Sequence, residues 1–322
     1  MRVAVVGAGA VGARVARQLA ATEAIDAIFV VTDSRPALVE GLGPRSYLAH
    51  DLVGLDLDVV VLAKGAGNEA DVARRQLESG RHVVSTADAP DTIAALLDLD
   101  ALARAHRCAC VVGAGFAPGL SGLLARHLAR EFEHVDEVHV AKSGTGGPTC
   151  AREHHRALSA AAVEFVDGVR QERRGGSGRE LCWFPNPVGA RDCYRADLAD
   201  PVLLHRSLPD ARRITARVAA TRRDRFLGGL PMMRAPHIEG VDGAVRVEVR
   251  GRRGSTRVTA VAGSAGPPAV AAGAVAAAAA LLAPLVGAVG AMSCHELGAD
   301  DDLLAAVVAR GVRVSRFVGQ PV

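Results

Sequence analysis

Runs of consecutive apolar residues mark the first third of the chain: Val3-Ala4-Val5-Val6, Ala27-Ile28-Phe29-Val30-Val31, Val59-Val60-Val61-Leu62, His82-Val83-Val84 and Cys108-Ala109-Cys110-Val111-Val112. A strand that is apolar on both sides belongs in a parallel sheet covered on both faces. Segments with helical spacing of apolar positions separate most of the runs, through Val15, Leu19 and Ala20 and then at about 68–79 and 91–105. This alternation predicts a doubly wound parallel sheet with right-handed crossovers, an α/β domain assigned residues 1–118 whose pattern closes near residue 115.

Beyond Pro118 the pattern changes. It predicts a helix over about 119–131, a strand over 135–142, a long helix over about 151–170 and strands at 212–219, 244–250 and 256–262. The last two form a hairpin across Arg252-Arg253-Gly254. These elements predict an inserted α+β domain over residues 119–262 with an antiparallel sheet, expected to serve substrate binding and dimerisation. Residues 263–322, opening on an Ala-rich helix after Gly266-Pro267-Pro268, are expected to return to the first domain. From Val258 to Cys294 there is no acidic or basic side chain, a length that suits a membrane span. Its apolar content is mostly Ala and Gly, interrupted by Pro267, Pro268 and Pro284, which favours a buried helix.

Between the first strand and the first helix stands Gly7-x-Gly9-x-x-Gly12. There the first glycine permits a tight turn, the second lets backbone meet a pyrophosphate and the third allows close helix–strand packing, with the pyrophosphate on the helix N-terminus. Strand before and helix after are the context that gives this motif meaning, and the domain reads as a Rossmann domain. Gly7, Gly9, Ala10, Val11 and Gly12 are the expected cofactor contacts. Asp33 ends the second strand, where a carboxylate accepts hydrogen bonds from adenosine ribose hydroxyls. It favours NAD, whereas Ser34 and Arg35 beside it would suit the 2′-phosphate of NADP, so the choice stays open. Ala63, Thr86, Gly115 and Phe116, at the ends of later strands, complete the expected cofactor set.

Composition narrows the partners. With 322 residues, 49% hydrophobic and 23% charged, the chain is long enough for two cores and does not read as disordered. Its net charge of +3 hides a division, because residues 141–260 carry +9 and the remainder −6. A basic middle segment favours an anionic small molecule; with aromatic residues at 3%, nucleic acid is not expected. Six cysteines without a CxxC pair indicate neither a metal site nor a disulfide framework. Met1 leads straight into an apolar strand with no basic segment before it, so a cytoplasmic protein without a membrane partner is expected.

The turn Gly113-Ala114-Gly115-Phe116-Ala117-Pro118-Gly119-Leu120-Ser121 resembles the one that follows the last Rossmann strand in the saccharopine dehydrogenase-like family. Gly80-Arg81-His82-Val83-Val84-Ser85-Thr86, Gly266-Pro267-Pro268-Ala269 and the C-terminal Cys294-His295-Glu296-Leu297, with Arg310-Gly311-Val312 after it, are similar to further segments of that family. The resemblance covers residues 1–125 and 260–320. It implies an NAD(P)-dependent oxidoreductase that makes or breaks the C–N bond between an amino acid amine and a carbonyl compound, and a homodimer.

Reducing an imine requires a hydride, a proton for the nitrogen and cations for the substrate carboxylates. The chain has 36 Arg and only two Lys, Lys64 and Lys142, so an ammonium that can lose its proton is a candidate where Lys persists. Lys64 and Asp88 follow strands at their carboxyl ends, where doubly wound sheets bind ligands; Asp88 or Asp91 would equally suit a helix cap. Arg152, His155 and Arg156 share one face of the expected helix 151–170 near its N-terminus and form a candidate carboxylate anchor, with Trp183 a candidate substrate contact. His154 reads as structural. Two other classes stand beside this one: an aldehyde dehydrogenase using Cys150 as nucleophile, and a non-catalytic NAD(P)-binding sensor.

Overall fold

The computed structural model describes residues 1–33, 35, 37–64, 67–232, 235–299 and 301–317; Ser34, one of the expected cofactor contacts, lies outside them. The chain forms two compact units. One joins Met1–Gly115 to Ala269–Gly311, and the other joins Phe116–Pro268 to the segment from Val312.

The first unit begins with β1 (Arg2–Val6), β2 (Ala27–Val31), β3 (Ser46–Ala49), β4 (Val59–Leu62), β5 (His82–Ser85) and β6 (Ala109–Val112). Val3, Val5, Val59 to Val61, Val83, Val84 and Cys110 to Val112 have at most a trace of exposure, as strands covered on both faces require. Helices Ala10–Ala20, Glu69–Glu78, Pro90–Leu97 and Asp100–Ala105 intervene. The helix expected over 91–105 is therefore two helices, with Asp98 closing the first. Strand β3 was not expected, because Ser46-Tyr47-Leu48-Ala49 is a short, partly exposed edge without a long apolar run.

The second unit contains β7 (His134–Thr145), β8 (Ala161–Val166), β9 (Val169–Arg174), β10 (Glu180–Trp183), β11 (Ala190–Arg195), β12 (Arg213–Ala219), β13 (Val241–Arg253) and β14 (Thr256–Gly266). The hairpin of β13 and β14 forms as expected, pairing Arg253 with Thr256. The sheet is mixed rather than purely antiparallel, since β12 runs parallel to β7 with Val218 opposite Lys142. The helix expected over 151–170 is corrected: it spans Pro148–Ala157, and the following residues form the hairpin β8–β9. Asp167 and Gly168 both have positive φ between the paired Val166 and Val169, the two-residue Asp-Gly turn that matches strand twist.

Helix Pro268–Leu285 then belongs to the first unit and leads to β15 (Gly290–Ser293), while β16 (Ser315–Phe317) pairs with β14 in the second. By length and composition this helix could cross a membrane, yet Ala274 to Ala280 are fully buried, and Gly273 lets the backbone of Arg14 approach. The first sheet has the order β15-β6-β5-β4-β1-β2-β3, all parallel, and the second runs β10-β11-β12-β7-β13-β14-β16 with β8 and β9 off β12. In the first sheet the order reverses at β1, so a crevice opens between the carboxyl ends of β1 and β4.

Candidate functional site

The glycine turn occupies that crevice. Gly7 adopts φ +101°, a value that L side chains rarely reach, and a Cβ on it would lie 2.8 Å from the Ala63 carbonyl oxygen and 2.9 Å from the Lys64 Cα. A Cβ on Gly12 would lie 1.9 Å from the Gly7 carbonyl oxygen. Those two glycines serve packing. Gly9 is different: its φ of −67° suits any residue, and no atom of the described residues lies within 4 Å of where its Cβ would be. Its lack of a side chain keeps space open above the first turn of helix Ala10–Ala20, which contains no acidic residue to neutralise the amides of Ala10, Val11 and Gly12. An anion is the natural occupant of such a cradle. Exposed Asp33 follows β2 beside it, and Arg35 is half-buried. The residues present thus fit a dinucleotide.

At the neighbouring strand ends, Lys64 is exposed, Ala63 is half-buried, and the Thr86 hydroxyl donates to the Leu62 carbonyl at 3.2 Å. Asp88 does not cap the next helix, whose N-cap is Ala89 with no side-chain bond and with Pro90 in its first turn. Asp88 instead lies close enough to Glu69 for its charge to act on that carboxyl. Glu69 accepts a hydrogen bond from the Ser85 hydroxyl, and burial, joined by Asp88, raises its pKa above the usual value. Sequence reasoning missed Glu69; its one signal was an acid at the first position of the helix after β4. Gly115 ends the first unit, and Phe116 opens the second.

In the second unit Lys142 lies in β7 with 7% of its surface exposed, and its ammonium donates to the Ala117 carbonyl at 3.2 Å. The charge of Lys142 acts on His154, whose pKa burial first and that charge second bring down to about 4. The expected anchor is dispersed by comparison. Because the helix starts at Pro148, His154, His155 and Arg156 occupy its last turn, where cations complement the carbonyl end, and not its positive N-terminus. Arg156 is exposed and paired with Glu153, the His155 Nε2 bonds to the Leu230 carbonyl at 2.8 Å, and Arg152 reaches Thr149 Oγ1 at 3.5 Å. Trp183 is 63% exposed on edge strand β10, three strands from β7 and so roughly 14 Å away. Cys150 is half-buried near the start of the same helix.

Several arginines of the second unit are paired with acids of the same unit. Arg173 and Arg195 hold Glu164, Arg246 and Arg250 hold Glu248, Arg217 holds Glu180, and Arg212 holds Asp167. A cavity of about 590 Å³ at the far end of the sheet mixes Arg212, Arg213, Arg250 and Arg257 with Asp136, Glu137 and Asp167, so it presents no single sign of charge. Among the described residues no group of His, Cys, Asp or Glu is arranged to hold a metal ion.

No protein-family model matches the chain, and neither does any curated protein. Solved structures do. The apo saccharopine dehydrogenase (L-Glu forming) of Saccharomyces cerevisiae superposes with a TM-score of 0.64 at 14% identity, over 98% of this chain and 100% of that one. The DAP dehydrogenase of C. glutamicum in complex with DAP gives 0.50 at 15% identity, over 96% and 98%. GenD2 from gentamicin A biosynthesis in complex with NAD gives 0.50 at 19%, over 99% and 97%. The chain has the fold of these Rossmann dehydrogenases. At such identities the likeness concerns architecture, and the chemistry rests on the residues above.

Proposed function

We propose that the protein is an NAD(P)-dependent oxidoreductase acting on the C–N bond of an amino acid or of the imine formed from it. The observation that carries the cofactor assignment is the space that the described residues leave open above Gly9, at the amide end of an acid-free helix and beside Asp33. A bound nicotinamide dinucleotide would supply or accept the hydride. Gly9 and the amides of Ala10 to Gly12 would hold its pyrophosphate, and Asp33 its ribose hydroxyls, which favours NAD. Lys142, whose ammonium is buried and oriented by the Ala117 carbonyl, is the group proposed to meet the substrate. The amino acid assignment draws support from the resemblance carried by the Gly113–Ser121 turn, and from neighbours of the same fold named as saccharopine and DAP dehydrogenases.

The test is a fluorescence titration with NADH and NADPH, followed by a screen for cofactor oxidation against pairs of keto acid and amine and for the reverse reaction with amino acids. NADH binding and turnover on at least one pair are expected. Asp33→Ser should shift preference toward NADPH by about tenfold or more, since a carboxylate facing a 2′-phosphate costs about 1–2 kcal/mol. A wild type that binds neither cofactor overturns the assignment. One that binds but turns over nothing in either direction leaves the sensor class in its place.

A further inference from the structure

The cavity of about 590 Å³ in the second unit is built on one row of its sheet. Val166 pairs with Arg213, Arg213 with Glu137, Glu137 with Arg250 and Arg250 with Thr259, so five neighbouring strands place these side chains on one face, and all of them line the cavity. Arg257, two residues before Thr259 on β14, falls on the same face and lines it too. The size is that of a small-molecule site.

The mixed charge of the lining resolves once the existing pairs are set aside. Arg212 gives Nε and Nη2 to Asp167 Oδ1 at 3.2 and 2.8 Å. Arg250 is held by Glu248, Nε to Oε1 at 2.7 Å, and by Glu137, Nη1 to Oε2 at 3.2 Å. The same Glu137 oxygen bonds the His139 Nε2 at 2.9 Å. Arg213, although directly opposite Glu137, stays outside this network: among the described residues it forms no hydrogen bond or ion pair, and its Nε is closed to solvent. Among the same residues exposed Arg257 has no ion pair, and the Thr259 hydroxyl has no hydrogen bond. A partly desolvated guanidinium without an acceptor is costly, and an anion in the cavity removes that cost.

Two cations and a hydroxyl are thus uncommitted on β12 and β14. Those strands lie three spacings apart, roughly 14 Å, a span that arginines reaching inward over β7 and β13 can close around one anion. A carboxylate is planar and is satisfied by a single fork. A phosphate monoester carries close to two charges on three oxygens and accepts from donors on opposite sides at once. The acids supply the other half of the site. Arg212 engages only Oδ1 of Asp167, and Asp136 has longer contacts alone, 3.6 Å to His134 and 3.9 Å to Arg252. Both carboxylates repel a second anion and accept hydrogen bonds from hydroxyls.

We propose that this cavity binds the phosphate monoester of a polyhydroxylated small molecule, with Arg213, Arg257 and Thr259 on the phosphate and Asp136 and Asp167 on the hydroxyls. Lys142 lies five residues along β7 from Glu137, about 17 Å away, so the site is separate from the proposed substrate contact. It stands whether or not the chain is an oxidoreductase.

Isothermal titration calorimetry of the full chain with glycerol 3-phosphate, ribose 5-phosphate and glucose 6-phosphate should show binding of at least one ester, with glucose and citrate silent and inorganic phosphate weaker. Arg257→Gln, at an exposed position where folding is not at stake, should weaken that binding about tenfold or more, the worth of a charge-assisted hydrogen bond. Arg213→Gln should do the same, and Arg213→Lys should restore part of the affinity by returning the charge without the fork. Gly9→Val should bind the ester as wild type does, because the pyrophosphate cradle lies in the other unit. The inference falls if none of the three esters binds, if glucose or citrate binds as well as the ester, or if Arg257→Gln leaves affinity unchanged. It falls too if Gly9→Val abolishes binding, which puts the phosphate in the dinucleotide cradle, or if Arg257→Gln dissociates a dimer in sedimentation velocity, which makes a second copy of the chain the occupant.

Discussion

Gly7, Gly9 and Gly12 look equivalent in the motif but do different physical work. A Cβ at Gly9 has no atom of the described residues within 4 Å, so Gly9→Val should fold with a thermal midpoint close to wild type and fail to bind dinucleotide in the fluorescence titration. Gly12→Ala places a methyl 1.9 Å from a backbone oxygen. It should lower unfolding free energy by about 3 kcal/mol or more in a urea titration, as expected when backbone must shift to relieve a clash. Undiminished affinity in folded Gly9→Val would remove the main support for the cofactor site. The same scale shows why Arg156 is a poor anchor candidate: an exposed pair with Glu153 holds it, whereas Lys142 is buried where its charge is less screened.

Among the elements, helix Pro268–Leu285 shows how a polar site depends on an apolar support. Its Gly273 lies against helix Ala10–Ala20, and a Cβ there would be 2.5 Å from the Arg14 Cβ and 3.0 Å from the Arg14 backbone carbon. Helix propensity alone favours Gly273→Ala by about 1 kcal/mol. The clash should outweigh it, giving a net loss of about 1–2 kcal/mol in chemical denaturation and weaker NADH binding, because the displaced helix is the one whose N-terminus would receive the pyrophosphate in the proposed site. A variant more stable than wild type would mean that the two helices separate at little cost. Helix Pro148–Ala157 makes the complementary point, since its true start moves the basic residues to its carbonyl end and places His154 where the charge of Lys142 acts on it.

Across the whole molecule, neither unit is a continuous piece of chain. The last strand, β16, returns to the second unit after the first is complete and covers the edge of β14 through Val261, Ala262 and Gly263, while Arg316 joins Arg253 on Glu131. Ending the chain at Gly311 removes that cover. An uncovered strand edge offers unpaired amides to other molecules, so the truncated protein should show concentration-dependent association in light scattering. Cofactor binding should persist, because every residue of the glycine turn lies in the first unit. A truncated chain that stays monodisperse would show that the edge needs no cover.

The sequence by itself determined the parallel sheet, the glycine turn and Asp33, because contiguous apolar runs and a GxGxxG spacing are local signals with local causes. It also pointed to Lys142, through the rarity of lysine in an arginine-rich chain. It did not reveal β15 or β16, whose places depend on pairing with strands far away in sequence. The Asp167-Gly168 turn was legible and outweighed by an apparent helical pattern from 151 onward. Only the tertiary structure decided which polar groups act on one another: the Ser85 hydroxyl bonded to Glu69, the charge of Asp88 acting on that carboxyl, and the charge of Lys142 acting on His154. Spacing along the chain carries no record of those encounters. They arise from strand register, in which Val218 falls opposite Lys142, and from the burial that leaves one ring nitrogen of His154 without a partner.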